Sequence, residues 1–535
     1  MKRRITRYLP ALLALGAGVG ALLATHGGRG RSTPPATRSV MIHPRPAPGG
    51  AGLPVAHPPE APARTLEAFA AAHPGELLLR FPDEAGYLDF LATPLPDAVR
   101  LLDQLDPLQA VRLHYDDWDR VTALLEELGY EGFDPVPTSP GFSVRGDGVD
   151  AGALGFSNST LDWLGVRSDP SDWGAGVRIA VLDSGVVPHP ELPRGIRSLA
   201  IEPFPERFAE TCPHGTSVAS IIAGQGPRVQ GLAPAAELVS IRILDDSGRT
   251  DGFNVAAGVL AAIEARVHLI NLSIGSLEGT SLEADAIRLA QQAGIVVVAA
   301  AGNDGFDRLR YPAAYPGVIS VGAVDAGGER MKFSNTGPNL SLTAPGVAVL
   351  AAAPGDSHAL ASGTSSSAPI VTAAIAATMS DGSGRFLGAR EAAAIVLEHC
   401  DDIGPGGPDP EYGAGILNLN RILSRNTPGI VDACLTDQRL VEGGNGAASL
   451  VVTVENRGTV PLANSLVRLD GNPALRRVSI PLLRPNESRT IAFPLPPSTL
   501  ARGARFRFDA SLELAGGLRV SRPDGQHLRL EGRVP

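Results

Sequence analysis

The sequence predicts an α/β protein: a mostly parallel sheet with helices on both faces, a small α/β unit before it and a β-sandwich after it. Apolar runs alternate with helical segments between about residues 177 and 323, and this alternation builds parallel sheets that are covered on both faces. A shorter set of strand and helix patterns precedes this region. After Leu423, polar and apolar residues alternate, which is typical of half-buried strands.

The first residues combine a basic start with an apolar stretch. Lys2, Arg3 and Arg4 precede an apolar run from Leu9 to Ala24, and this arrangement is typical of a secretory signal. Residues 1–26 are therefore interpreted as a signal peptide or, alternatively, as an uncleaved membrane anchor. The first interpretation predicts a secreted or cell-envelope protein, extracellular or periplasmic, and the second a membrane-anchored one. Residues 27–63, rich in Pro, Gly and Ala, form a linker.

Residues 64–150 form the predicted small α/β unit, because the runs 76–81 and 110–115 have the composition of strands. Residues 118–128 have helical spacing. Residues 151–427 form the predicted central region. Its strands are expected at 177–183, 237–244, 267–273, 294–300 and 318–323, and its helices at about 254–265 and 281–293.

Residues 428–535 form the predicted β-sandwich. The run 505–514 alternates polar and apolar residues, and the run 450–455 leads into a turn at 456–459. This segment resembles the immunoglobulin-like modules appended to exported bacterial enzymes. A role in binding a surface and a role as a spacer are both open.

The length and the charge limit the function classes. A chain of 535 residues has room for two to four domains with at least one large core. The net charge of −10 is spread without long acidic or basic blocks. The composition therefore gives no indication of nucleic-acid binding.

Four polar residues occupy positions where such a sheet gathers reactive groups. They are Asp183 after the run 177–182, His214 at a helix start, Asn303 after the run 295–302, and Ser365 in the first turn of an apolar helix. Each has an ordinary alternative as a turn residue, a cap or a loop amide. Their joint occurrence in this order indicates a catalytic site.

The residue types define that chemistry. A serine hydroxyl is a weak nucleophile near neutral pH and needs an adjacent base. Histidine suits the role of base, and a carboxylate fixes its tautomer. Ser365, His214 and Asp183 are accordingly the predicted nucleophile, base and orienting carboxylate. Asn303 would donate its side-chain amide to an oxyanion, together with the backbone N–H of Ser365.

At these residues the chain resembles the subtilisin-like serine peptidases. Three signatures match in order: Val181-Leu182-Asp183-Ser184-Gly185, His214-Gly215-Thr216-Ser217-Val218-Ala219 and Gly363-Thr364-Ser365-x-x-x-Pro369. The resemblance covers about residues 155–425, and the order Asp, His, Ser is the one known for this family. It implies a subtilisin-like fold and an exported serine endopeptidase that cleaves proteins or peptides through an acyl-enzyme.

The resemblance also implies a substrate site. An extended peptide would pair with two backbone segments, Ser247-Gly248-Arg249 and Ser273-Ile274-Gly275. The small residues Ala300-Ala301-Gly302 would line the pocket for the side chain before the scissile bond and leave it open for a large apolar group. The alternative is that these small residues only pack a core strand.

Some positions depart from the family pattern. Ser366 and Ser367 replace the usual methionine and alanine after the nucleophile. The segment 223–230 contains no Asp or Asn, so it lacks the oxygen-rich loop that binds calcium in many relatives. No cofactor is therefore expected; calcium elsewhere stays open, without a ligand cluster to name. Cys400 and Cys434 are a candidate disulfide after export.

The resemblance assigns the N-terminal unit as a propeptide, a partner that covers the cleft until self-cleavage in the loop 141–155. A permanent accessory domain is the alternative. Two other functions stay open. One is an acyl transferase or peptide ligase, since an amine competes with water for the acyl-enzyme. The other is a non-catalytic adhesion protein, against which the retained triad argues.

Overall fold

The computed structural model describes residues 75–127, 138–139, 152–201, 212–246, 248–404, 406–442, 448–471, 476–496, 505–515 and 527–533. The predictions for the signal segment and the linker lie outside these residues. So does most of the predicted self-cleavage loop. Within the part of the chain that is described, no helix is long and apolar enough to cross a membrane.

The N-terminal unit is a three-stranded antiparallel sheet with two helices. Its elements are β1 (Glu76–Arg80), α1 (Glu84–Ala92), β2 (Val99–Leu105), β3 (Ala110–Tyr115) and α2 (Trp118–Glu127), with the strands in the order β1-β3-β2. The two faces of β1 have different partners, because successive side chains point to opposite sides of a strand. Leu77 and Leu79 pack in the unit's own core, and Leu78 packs in a core of the central sheet.

A short strand, β4 (Thr138–Ser139), leads toward the central region, whose helices and strands follow in alternation. The elements are α3 (Thr160–Trp163), β5 (Arg178–Asp183), β6 (Arg197–Ala200), α4 (His214–Ala223), β7 (Glu237–Arg242), β8 (Thr250–Asp251), α5 (Gly252–Glu264), β9 (Leu269–Leu272), α6 (Ser281–Gln292), β10 (Val296–Ala300), β11 (Ile319–Val324) and β12 (Leu342–Pro345). Then come the hairpin β13 (Val349–Ala353) and β14 (Ser357–Ala361), and the helices α7 (Thr364–Met379), α8 (Ala389–Glu398) and α9 (Leu419–Ser424). The strands and helices predicted for this region are confirmed, with bounds that differ by a few residues.

Seven of these strands form one parallel sheet in the order β12-β11-β10-β9-β5-β7-β6. Side chains of β5 alternate between its two faces. Ile179 and Val181 lie in a core that includes α4, α7 and α8, whereas Ala180 and Leu182 lie in a core with α5 and α6. The fully buried runs of β5, β9 and β10 are the sequence signature of a parallel sheet covered on both faces, and the α/β fold class is confirmed.

The C-terminal sandwich consists of two antiparallel sheets over one apolar core. Its strands are β15 (Ala433–Glu442), β16 (Ala448–Asn456), β17 (Leu462–Gly471), β18 (Arg476–Leu483), β19 (Ser488–Leu495), β20 (Arg505–Glu513) and β21 (His527–Arg533). They pair as β15-β16-β19 and as β18-β17-β20-β21. Cys400 and Cys434 are both buried free thiols in this structure, so the candidate disulfide is not formed.

Candidate active site

The site lies at one edge of the central sheet. Because the strands are parallel, their carboxyl ends share an edge, and β5, β9 and β10 are neighbours there. Asp183 ends β5, Ser273 follows β9 and Asn303 follows β10. The structure therefore brings the predicted aspartate and asparagine to the same edge, and two helices carry His214 and Ser365.

Asp183 and His214 form a buried pair. His214 Nδ1 lies 2.9 Å and 2.8 Å from the two carboxylate oxygens of Asp183. Asp183 Oδ1 also accepts a hydrogen bond of 2.7 Å from the backbone N–H of Ser184. With Nδ1 donating to Asp183, the neutral imidazole keeps its lone pair on Nε2, the atom that a general base needs.

The pKa of His214 results from two opposing causes. Burial lowers it, but the charge of Asp183 and the hydrogen bond to it outweigh burial, so that the pKa is raised above the ordinary value for histidine. The histidine is therefore a stronger base than a free imidazole. It is also a group that Asp183 stabilises once it has accepted a proton.

A tight contact holds His214 in place. The Ser184 hydroxyl donates to the carbonyl of Cys212 at 2.8 Å and accepts from the N–H of Gly215 at 3.0 Å. A Cβ atom on Gly215 would lie only 2.3 Å from the carbonyl oxygen of Gly185. The glycine after the histidine is thus required for α4 to approach the turn that follows β5.

Ser365 is presented at the start of α7 by an unusual helix entry. Gly363 has φ +127°, a backbone conformation that favours glycine. Pro369 has no N–H, so it cannot donate to the carbonyl of Ser365 four residues earlier. That carbonyl instead accepts a hydrogen bond of 3.0 Å from the Ser273 hydroxyl. The proline of the Ser-x-x-x-Pro motif thereby leaves the carbonyl of Ser365 free to accept the hydrogen bond from Ser273, which follows β9. This bond ties the serine to the sheet.

A buried polar chain extends this contact. Asn271 Nδ2 donates to Ser273 Oγ at 3.0 Å, and Asn271 Oδ1 lies 2.9 Å from the Thr372 hydroxyl of α7. The sequence patterns assigned Ser273 only to a backbone segment for the substrate and did not single out Asn271. That their side chains fix the nucleophile helix on the sheet was missed, and the signal was the polar residues at 271 and 273 of an otherwise apolar run.

Asn303 is oriented by Thr364. Its Oδ1 accepts hydrogen bonds of 2.9 Å from both the N–H and the hydroxyl of Thr364. Because an N–H can bond only to the amide oxygen, Nδ2 is left on the opposite side. A Cβ atom on Gly363 would lie 3.0 Å from Asn303 Nδ2 and 3.3 Å from Ser365 Oγ. The amide donor and the serine hydroxyl therefore face the same small space.

The predicted substrate segments have different surroundings. Ser247 lies outside the described residues. Gly248 and Arg249 form a turn in which Arg249 N donates to Asp245 Oδ1 at 2.8 Å. Ser273, Ile274 and Gly275 are buried, so any contact of this segment with a peptide would use its backbone. Ala301 and Gly302 are buried, and Gly302 lies beside the side chain of Arg310.

Glu191 contacts the loop after α4. There the carboxylate of Glu191 accepts from the N–H of Val229 at 2.8 Å and lies 3.1 Å from His358 Nε2. Among the described residues, no group of three or more His, Cys, Asp or Glu side chains is arranged to hold a metal ion.

A carboxylate, an imidazole, a serine at a helix start and an amide donor at one sheet edge are the components of a serine hydrolase. A model described as the subtilase family matches residues 174–415. A thermostable alkaline protease of Halalkalibacterium halodurans is 40% identical over 203 residues, which are 37% of this chain and 55% of that protein. An alkaline protease of Shouchella clausii is 33% identical over 288 residues, which are 52% of this chain and 74% of that protein.

Among solved structures, the self-cleaved protease domain of PatA is 32% identical, and the match covers 48% of this chain and 97% of that domain at a TM-score of 0.42. The chain belongs to the subtilase family, and its class is that of a serine-type endopeptidase.

Proposed function

We propose that this chain is an exported endopeptidase that cleaves proteins or peptides through an acyl-enzyme on Ser365. The observation that carries the proposal is the buried pair of His214 and Asp183, with Nδ1–Oδ2 at 2.8 Å, at the same sheet edge as Ser365 and Asn303. Few structural roles require a buried ionisable pair beside a helix-start serine. Export is inferred from the basic and apolar N-terminal residues, which lie outside the described part of the chain.

The first half of the reaction forms the acyl-enzyme. Ser365 Oγ attacks the peptide carbonyl carbon while His214 Nε2 accepts the hydroxyl proton, and Asp183 holds the resulting imidazolium. The carbonyl oxygen becomes an oxyanion that accepts hydrogen bonds from Asn303 Nδ2 and the backbone N–H of Ser365. The carbon–nitrogen bond then breaks, and His214 returns its proton to the leaving amine.

The second half releases the product. A water molecule gives a proton to His214 and attacks the ester carbonyl, the same two donors stabilise the oxyanion, and the bond to Ser365 Oγ breaks. The proton returns to Oγ, and a carboxylic acid leaves. An amine in place of water would give a new peptide bond, which is the ligase alternative.

We also propose that the N-terminal unit acts as a propeptide. Two contacts support this role. Strand β4 pairs antiparallel with β8 directly after the segment Gly248-Arg249, and it thus lies next to the backbone that a substrate strand would use. Arg112 Nη2 lies 2.9 Å from Asp251 Oδ2 and 2.7 Å from Glu76 Oε2, so it joins the unit to the start of α5.

The experiment is intact-mass analysis of the full chain after treatment with a fluorophosphonate probe. Wild type and Ser365→Ala are compared with Ser366→Ala, a matched control because Ser366 is the next serine of the same buried helix turn. Wild type and Ser366→Ala should take up one probe and release the N-terminal unit. Ser365→Ala should do neither.

Two outcomes would change the proposal. Labelling of Ser365→Ala would contradict Ser365 as the nucleophile, and labelling of wild type without loss of the N-terminal unit would contradict the propeptide. A peptide assay with and without an added amine completes the test. Predominant formation of the amine adduct would favour the ligase.

A further inference from the structure

The segment after Asn303 folds back on itself through an ion pair. Arg310 Nε lies 2.6 Å from Asp304 Oδ2, and Arg310 Nη2 lies 2.5 Å from Asp304 Oδ1. This is the bidentate geometry in which arginine and carboxylate interact most strongly. The Arg310 side chain is only 11% exposed. The Asp304 side chain is 24% exposed, so the arginine end of the pair is packed into the protein and the carboxylate end is partly open to water, directly beside Asn303.

The stem of Arg310 fills the space next to Gly302. A Cβ atom on Gly302 would lie 2.5 Å from Arg310 Cγ, and the N–H of Arg310 donates to the carbonyl of Ala301 at 2.9 Å. Ala301 and Gly302 are the small residues from which an open pocket was expected. The structure shows that the missing side chain of Gly302 leaves room for the Arg310 side chain, whereas Ala301 packs with Leu309 and Leu340.

A second residue fixes the carboxylate. Asn335 Oδ1 accepts from the N–H of Asp304 at 2.9 Å and from the N–H of Phe306 at 3.1 Å, and its Nδ2 lies 3.3 Å from Asp304 Oδ2. Burial raises the pKa of Asp304, but the hydrogen bonds and charge of Arg310 outweigh it and hold that pKa below its usual value. Asp304 therefore stays ionised at neutral pH.

We infer that Arg310, held by Asp304, closes the pocket for the side chain before the scissile bond and makes the enzyme prefer small residues there. This inference rests on the proposed peptidase function. A large apolar side chain would have to break the bidentate ion pair or bury it away from water, and both processes cost free energy. A small side chain leaves the pair intact. The expectation of a large apolar preference is thereby reversed.

The test measures kcat/KM for peptides that differ only in alanine or phenylalanine before the cleaved bond. Arg310→Ala opens the pocket and should raise the ratio of phenylalanine to alanine cleavage by about tenfold or more, the range that extra apolar contacts in a pocket provide. Arg308→Ala is the matched control, because Arg308 lies in the same segment but is exposed and packs over Phe306. It should leave the ratio unchanged.

A second variant guards against misfolding. Arg310→Met keeps an unbranched stem but removes the charge, and it should also raise acceptance of phenylalanine. The inference is overturned if wild type prefers phenylalanine, or if folded Arg310 variants keep the wild-type ratio. Fluorophosphonate titration separates this failure from failure of the proposed function. If wild type takes up the probe and cleaves both peptides, but shows one of these two results, only the pocket assignment is refuted. If wild type neither labels nor cleaves, both proposals are refuted.

Discussion

Arg421 of α9 and Glu455 of the C-terminal sandwich form a buried ion pair, with Nη1–Oε1 at 2.6 Å and side chains only 3% and 4% exposed. Arg457 of the sandwich makes two further ion pairs. Its Nη1 lies 3.1 Å from Asp401 Oδ2 of the central region, and its Nε lies 2.7 Å from Glu455 Oε2. Charges taken out of water on both sides of a boundary are stable only while both sides are present. The sandwich is thus attached to the central region through a buried cluster of four charges, in which Arg421 also pairs with Asp401 on its own side at 3.1 Å.

Glu455→Ala tests this attachment. The substitution removes the nearer of the two counter-charges of Arg421 and leaves Asp401 at 3.1 Å, so it should lower the free energy of unfolding by about 3 kcal/mol, the low end for breaking a buried pair. Denaturant unfolding in a Ser365→Ala background measures it without self-digestion. Glu513→Ala is the control, since Glu513 pairs with Arg468 but is 48% exposed, and it should cost about 1 kcal/mol at most. Equal effects of the two substitutions would contradict the attachment.

Asn303→Ala removes the proposed side-chain donor to the oxyanion. We expect kcat to fall by about 10²–10³-fold with little change in KM, a magnitude known from a member of this same family. Steady-state kinetics on one peptide checks it. Asn339→Ala, at an exposed position in a neighbouring loop, should retain full activity. If the loss of activity in Asn303→Ala comes only from a higher KM, with kcat unchanged, Asn303 is assigned to substrate binding.

The pH dependence of activity follows from His214. Its pKa is raised because the Asp183 charge outweighs burial, and a protonated imidazole cannot accept the serine proton. The value of kcat/KM should therefore fall as the pH decreases, with a midpoint above the ordinary pKa of histidine. Asp183→Asn should lower kcat by about 10⁴-fold and move this midpoint down. The exposed control Asp172→Asn should leave the profile in place.

Stability should depend on pH through Glu283. Burial raises the pKa of this carboxyl to about 7, despite hydrogen bonds from Thr280 and Tyr315 that lower it. The folded state therefore binds a proton that the unfolded chain has already lost between about pH 4.5 and 7. The stability contribution is full below this window and is lost as the pH rises through it.

Glu283→Gln should remove that dependence while keeping the N-terminal cap of α6. In the Ser365→Ala background, the parent with Glu283 should lose about 3 kcal/mol of unfolding free energy across the window, and the Glu283→Gln variant should lose much less. The control Glu278→Gln, at an exposed position, should show the same pH dependence of the unfolding free energy as the parent. Parallel curves for the parent and the Glu283→Gln variant would show that this carboxyl does not titrate in the window.

The sequence alone determined the order of strands and helices in the central region and four residues of the candidate site. Periodicity and apolar runs are local properties, so they can be recognised without knowledge of distant contacts. Asp183 and Asn303 could be assigned to one edge because parallel strands place all their carboxyl ends together. Gly363 and Pro369 lie close to Ser365 in the sequence, so local residues alone indicate a serine at a helix start.

The tertiary structure decided the contacts between residues far apart in the chain. Ser273 holds the carbonyl of Ser365 across 92 positions, and Arg421 meets Glu455 across 34 positions. The contact between Gly302 and Arg310 was equally beyond sequence, because nothing local to Gly302 shows that the Arg310 side chain lies against it. Side-chain packing depends on the three-dimensional approach of whole elements, which no local pattern encodes. For that reason the sequence predicted the residues of the candidate site, and only the structure showed which distant contacts hold them in place.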